Sequence, residues 1–216
     1  MTKSVLVTGA TGFIGSRLVD ALIKKGYDVT SLVREGKEGN SKSNIIYGDL
    51  TDKKIDFKDL KFDCVFHLAS HTPLEKNKKI LEKVNLDGTK KLFEEIKGIT
   101  NSIIYISGLG VYGETGDKII DETQKYNPNT NFVKIRLDAE KYLKDNSLKN
   151  KIDFAVVHFG DVYGSDGWFY EMLIKRLKKN TFRMPAGGNY FKGFVHVDDA
   201  VGSMISVLEE KSFGED

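Results

Sequence analysis

Three glycines fall at every third position in Gly9-Ala10-Thr11-Gly12-Phe13-Ile14-Gly15, directly after the apolar run Ser4-Val5-Leu6-Val7-Thr8. That spacing suits a phosphate cradle. Gly9 permits a tight turn, Gly12 lets the backbone approach a pyrophosphate to contact distance, and Gly15 lets the next helix lie close on the sheet. The helix start adds free N–H groups and the positive end of its dipole. An apolar helical pattern runs on through Lys25, so the turn reads as the pyrophosphate site of a dinucleotide. The contacts expected from it are Gly9, Thr11, Gly12, Phe13, Ile14 and Gly15.

Other residue types bear on chemistry. His67 and His71 flank the carboxyl end of a predicted strand, where ligands bind in open α/β sheets, and imidazoles titrate near neutrality. Each is a candidate acid or base, weighed against an ordinary packing role. His158 and His196 fall in strands or at strand ends and read as structural. Asp198 and Asp199 read as caps of the last helix. The four histidines and the single Cys64 show no metal-ligand spacing, so no metal is expected. Cys64 reads as a small buried hydrophobe without a disulfide partner, which fits a reducing compartment.

These residues need a scaffold. The chain has 216 residues, 40% of them apolar and 30% charged, which suits one domain over 1–216. A net charge of +2, from 33 basic and 31 acidic residues, creates no field that would select nucleic acid or a membrane. No apolar run is long enough for a signal or a membrane span, and a soluble cytoplasmic protein is expected. Strand and helix patterns alternate, as in a parallel sheet covered on both faces. Strands are predicted at 4–7, 28–33, 44–47, 64–68, 103–106 and 154–157, and long helices at 77–97 and 130–146. Leu81, Val84, Gly88, Leu92 and Ile96 form one helical stripe, and Phe132, Ile135, Ala139, Tyr142 and Leu143 another. Leu86 and Phe93 lie off the first stripe, as extra core or as a homodimer contact through the two long helices.

In order along the chain, these features resemble the extended, atypical short-chain dehydrogenase/reductases, in particular their NAD-dependent epimerase/dehydratase-like members. The match includes Gly48-Asp49-Leu50-Thr51-Asp52, Val65-Phe66-His67-Leu68-Ala69-Ser70 and Asn85-Leu86-Asp87-Gly88-Thr89. It continues with Val111-Tyr112-Gly113, Val162-Tyr163-Gly164 and Phe194-Val195-His196-Val197-Asp198-Asp199. The resemblance implies a Rossmann-type, doubly wound parallel sheet with a small, truncated C-terminal substrate lobe, binding a nicotinamide dinucleotide and an unidentified small molecule. It implies that Asp49 accepts from the adenine amino group and Leu50 covers the ring, although Asp49 taken alone reads equally as a turn cap. Leu68, Ala69 and Ser70 would carry backbone past the cofactor, and mid-helix Asn85 would tie its helix to neighbouring backbone. Ser107, Arg136 and Phe159 complete the implied cofactor contacts. At the end of strand two, Val33 stands where a carboxylate would hold the ribose diol. Arg34 follows and can accommodate a 2′-phosphate despite its neighbour Glu35, so NADP is expected in preference to NAD.

The departures concern catalysis. The family uses a tyrosine acid/base, a lysine four residues later that lowers the phenol pKa, and a Ser or Thr on the substrate oxygen. Ala139-Glu140, which follow that tyrosine by seven and eight positions in the family, put the first two slots at Phe132 and Arg136. Counting back from Val111-Tyr112-Gly113 puts the third at Gly108, beside Ser107. Phe132 has no proton to give, Gly108 offers only backbone, and Arg136 is no equivalent of Lys at a pKa-tuning site. No tyrosine in the chain has Lys at the fourth position after it. Ser107, His67 and His71 remain as substitutes. Two functions stay open: an atypical NAD(P)-dependent oxidoreductase or epimerase/dehydratase, and a non-catalytic NADP(H)-binding, sensing or structural subunit. Family members carry more chain after the 194–199 motif, so a shortened form or a fragment is expected, with 165–194 supplying the substrate lobe. The aromatics Trp168, Phe169, Tyr170 and Phe182 would line its pocket or form a satellite core.

Overall fold

Alternation of apolar residues along β1 (Ser4–Thr8) sends Val5 and Val7 to one face of a sheet and Leu6 to the other. The structure, a computed structural model, describes residues 2–189 and 191–214. The chain continues through α1 (Phe13–Lys24), β2 (Asp28–Val33), β3 (Asn44–Tyr47) and β4 (Cys64–His67). A long helical span follows: α2 (Lys78–Leu81), a π-helical turn (Glu82–Asp87) and α3 (Gly88–Ile96). Next come β5 (Ser102–Gly108), α4 (Asn131–Asn150) and β6 (Asp153–Phe159). The six strands are parallel in the order β3-β2-β1-β4-β5-β6, the Rossmann arrangement. Strand order reverses between β1 and β4. That crevice is where such sheets bind ligands.

Helices cover both faces. Val5, Val7 and Phe66 pack on Leu18 and Leu22 of α1 and on Met204 and Leu208 of α7 (Val197–Glu210), while Leu6 and Val65 pack with Leu92 and Ile96 of α3 and Leu143 of α4. Cys64 is fully buried, and burial pushes its thiol up to about 12, so it is an inert hydrophobe at neutral pH. After β6, β7 (Asp161–Tyr163) and β8 (Phe194–His196) form a separate two-stranded parallel sheet. Between them lie α5 (Gly167–Phe169), a π turn (Tyr170–Ile174) and α6 (Lys175–Lys178), none of which contains a buried residue.

Three expectations need adjustment. The first long helix contains a π turn, whose inserted residue the spacing of Leu81, Val84, Gly88, Leu92 and Ile96 does not expose. The Leu86 and Phe93 pair fits its core alternative: Phe93 is buried with its ring edge-on to Tyr142 at 5.9 Å, and the half-buried Leu86 packs on the same cluster. The cap of α7 is His196, whose side chain accepts from the Asp198 N–H at 3.3 Å, while Asp198 and Asp199 occupy the first turn.

Candidate active site

The glycine turn is built from close approaches. Gly9 has φ +70°, and a Cβ there would stand 2.8 Å from the Ala69 nitrogen; one on Gly15 would stand 2.1 Å from the Gly9 carbonyl oxygen. Both positions are closed to side chains by the fold itself. Gly12 differs, since its Cβ would meet the Gly9 oxygen at 3.1 Å and little else among the described residues. Its open side faces a cavity of about 230 Å³. Here Gly12 is the N-cap of α1 and so supplies no side-chain cap, and the first turn holds no acidic residue. Its first N–H groups and dipole are therefore left for an anion, and the cradle fits a dinucleotide pyrophosphate.

This smaller cavity lies at the carboxyl ends of β1, β2 and β4. Of the expected cofactor contacts, Gly9, Thr11, Gly12, Arg34, Asp49, Leu50, Leu68, Ala69 and Ser70 line it, as does His71. Leu32, Gly48 and Val84 also line it and were missed; Gly48 was readable as the residue leading into Asp49. Phe13, Ile14, Gly15, Asn85, Ser107 and Arg136 lie outside its wall, and Phe159 lines a second cavity. Val33 is buried and offers a ligand nothing, whereas Arg34 is exposed. One Asp49 oxygen accepts from both the N–H and the hydroxyl of Thr51, each at 2.8 Å. Partial burial opposes ionisation, but the Thr51 bonds and the charges of Arg34 and His71 hold the Asp49 carboxyl below its usual range. Asp49 therefore closes its turn and faces the cavity as an anion.

The second cavity, of about 910 Å³, opens over the ends of β5 and β6 and is lined by Gly108 and Phe132, where the resemblance puts two of the catalytic slots, together with Phe159. A Cβ on Gly108 would meet only the Phe159 carbonyl oxygen, at an ordinary 3.5 Å. Arg136, one turn beyond Phe132 on α4, points inward: its guanidinium donates to the Ile106 carbonyl and lies 5.2 Å from the Tyr105 ring centre and 5.9 Å from that of Phe132. It lines neither cavity. Titratable side chains in the larger cavity's wall are Glu75, Lys76, Lys118, Asp161 and Lys192. Lys192 pairs with Asp161 and sits 5.5 Å over the Trp168 ring.

His67 is 1% exposed and bonded at both ring nitrogens, Nδ1 to Thr8 Oγ1 and Nε2 to Thr89 Oγ1, each at 2.8 Å. Burial, helped by the Arg136 charge, pushes its pKa down to about 3, so the ring is neutral at pH 7. Ser107 is buried beside Glu140. The Glu140 carboxylate accepts from the Tyr126 hydroxyl at 2.9 Å and meets His158 Nε2 at 3.1 Å. Burial opposes its charge, yet His158 and Tyr126 hold its pKa below the usual carboxylate value. Among the described residues, no three His, Cys, Asp or Glu side chains gather as a metal site.

With this geometry the sequence comparisons agree: the chain belongs to the NAD dependent epimerase/dehydratase family, whose model matches residues 5–216. It is 28% identical to the UDP-glucose 4-epimerase of Mycolicibacterium smegmatis over 93% of this chain and 71% of that protein. It is also 28% identical to the UDP-N-acetyl-alpha-D-glucosaminuronate decarboxylase of Bacillus cytotoxicus, over 100% of this chain and 74% of that protein. Among solved structures, the UDP-glucuronic acid 4-epimerase of Bacillus cereus, in complex with UDP-glucuronic acid and NAD, superposes with a TM-score of 0.81 at 25% identity, covering 95% of this chain and 73% of that one.

Proposed function

We propose that the chain binds a nicotinamide dinucleotide along the crevice at the ends of β1 and β4 and is an atypical oxidoreductase or epimerase/dehydratase, acting on a nucleotide sugar without the Ser-Tyr-Lys triad. The observation that carries this reading is the turn at Gly12, closed internally at Gly9 and Gly15 and open to the cavity with an uncapped helix behind it. When bound, the nicotinamide supplies a hydride acceptor or donor. The residues of this chain would do the rest: Gly12 and the start of α1 hold the pyrophosphate, Asp49 and Leu50 hold the adenine, and Phe132 and Phe159 wall the larger cavity. Relatives named for UDP-sugars support a sugar nucleotide there. Of the expected lobe segment, Phe191, Lys192 and Gly193 would form its outer wall, while Trp168, Phe169, Tyr170 and Phe182 do not line it, and the buried Cys64 suits a cytoplasmic setting. Without a positioned phenol, proton transfer falls to water or to a cavity side chain, at a cost of roughly 10²- to 10⁴-fold in rate.

One observation favours a second reading, a non-catalytic NADP(H)-binding subunit. Arg136 is spent on the Ile106 carbonyl and two aromatic rings, leaving the lysine slot without a group that faces the cavity.

NADP is the preferred cofactor, because Arg34 lines the smaller cavity and Val33 presents no acceptor to a ribose diol. A charge-assisted contact of Arg34 with a 2′-phosphate contributes about 1.5 to 3 kcal/mol, or roughly tenfold to a hundredfold in affinity. Fluorescence titration with NADPH and NADH should show that gap, and Arg34→Ala should remove most of it. Gly12→Val should abolish binding of both while far-ultraviolet circular dichroism stays unchanged. Binding by Gly12→Val as tight as by the unmodified protein would refute the cofactor reading, and equal affinity for the two cofactors would refute the NADP preference.

A further inference from the structure

We propose that Thr8, His67, Thr89 and Asn85 form a one-way hydrogen-bond chain that positions segment 68–71 against the dinucleotide cavity, with His67 held as its neutral Nε2–H tautomer. The four side chains come from β1, β4, α3 and the π turn, and all are buried.

The direction of each bond follows from counting protons. Thr8 Oγ1 accepts from the Ala69 N–H at 3.1 Å and from the Leu68 N–H at 3.2 Å, the latter shared with the Thr8 carbonyl at 3.3 Å, so both of its lone pairs face donors. Its own proton is left for His67 Nδ1. On the other side, the Thr89 hydroxyl donates to the Asn85 carbonyl at 2.8 Å, so it can only accept from His67, and the ring proton sits on Nε2. The Asn85 amide then clamps the next backbone unit: Oδ1 accepts from the His71 N–H at 2.7 Å, and Nδ2 donates to the His71 carbonyl at 3.2 Å.

The consequence is mechanical. Segment 68–71 runs on past the end of β4, its Leu68 N–H still shared between the carbonyl and hydroxyl of Thr8 on β1, and its N–H groups at 68, 69 and 71 all find acceptors on this chain. Leu68, Ala69, Ser70 and His71 line the smaller cavity. The His67 ring spans the two anchors, joining the Thr8 end to the Thr89 and Asn85 end. The π turn belongs to the same device, because it contains Asn85 and passes its carbonyl to Thr89. A second ring proton would have no acceptor, since Thr8 is already saturated. The groups that meet the ring from α4 and β5 are the Arg136 charge and the Tyr105 ring, tilted at 36° with its centre 5.5 Å away, and neither would compensate an imidazolium.

The ligand side of this proposal rests on the dinucleotide reading, but its test does not. Nitrogen-15 spectra of the histidine rings in the full chain should show one imidazole as the Nε2–H tautomer, unchanged between pH 5 and 8. A His67 ring that titrates near 6.5, or carries its proton on Nδ1, overturns the proposal with no variant needed. Thr89→Val should speed amide exchange at Ala69 and His71 and weaken NADPH binding, each by about tenfold or more, as expected for one broken buried bond. Thr89→Ser, which keeps the hydroxyl, should leave both within about twofold. Unchanged exchange in Thr89→Val overturns the proposal as well. Failure of the unmodified protein to bind NADPH would sink the dinucleotide reading, while the ring spectra and amide exchange would still decide the hydrogen-bond chain.

Discussion

Packing a neutral imidazole between two threonines makes the folded chain refuse a proton that the unfolded chain accepts. Burial and Arg136 hold the folded His67 pKa at about 3, against an unfolded value of about 6.5. The contribution of this site to stability is therefore complete above about pH 6.5 and is lost as pH falls toward 3, with a limiting slope of about 1.4 kcal/mol per unit. The lowered carboxylates Asp49 and Glu140 act in the same direction but only at lower pH, as they protonate. Urea unfolding between pH 6.5 and 5 should thus show a slope that His67→Gln reduces by close to one proton. An identical slope in that variant would mean the ring titrates normally in the fold. The sequence offers His67 as an acid because it sees a histidine at a strand end; the two threonine partners, 59 and 22 positions away, come together only in the fold.

Elements carry the site's geometry, and most of them were legible. The β-branched runs and the glycine turn fix β1 and α1 locally, and the 3.6-residue stripe fixes α4, on which Phe132, Arg136 and Glu140 succeed one another at four-residue intervals. The π turn and the β7–β8 pair were not legible, since neither has a local pattern of its own. What α4 and β5 offer is room for a triad at the positions where the resemblance expects one. Gly108 and Phe132 line one cavity, and Gly108 has space for a side chain. Phe132→Tyr with Arg136→Lys and Gly108→Ser should accordingly create a general acid, at the cost of the Arg136 bond to Ile106. Single-turnover reduction of small carbonyls by the NADPH-loaded triple variant should exceed that of the unmodified protein. Its rate should depend on an ionisation below the ordinary tyrosine value of about 10, because a neighbouring ammonium favours phenolate. Fast turnover by the unmodified protein, indifferent to Arg136 substitution, would place the acid elsewhere, with Asp161 and Lys192 the next residues to change.

At the scale of the molecule, the segment 164–167 that leads into the expected lobe rests directly on the residue that follows the glycine turn, Phe13. The Phe13 ring lies under Gly164 and Gly167, and Arg17 bridges the two parts: it donates to the Phe13 carbonyl at 2.9 Å, to Ser165 Oγ at 3.3 Å and to the Asp166 carboxylate. The guanidinium also sits 4.6 Å from the Phe13 ring centre. Gly167 makes the contact possible, since it has φ +80° and a Cβ there would stand 2.4 Å from the Phe13 ring. Gly167→Ala therefore carries two costs: about 1 to 2 kcal/mol for a left-handed backbone, and about 1 to 3 kcal/mol for overpacking against Phe13. Gly26→Ala separates them, because Gly26 has φ +84° and nothing among the described residues within 4 Å of the added carbon. Thermal unfolding should show the larger loss for Gly167→Ala, and NADPH titration should show weaker binding for that variant alone, as the displaced ring opens the turn. If the two variants lose equal stability and both bind NADPH normally, the lobe segment does not brace the turn, and the Arg17 bridge is a surface contact without consequence for the ligand.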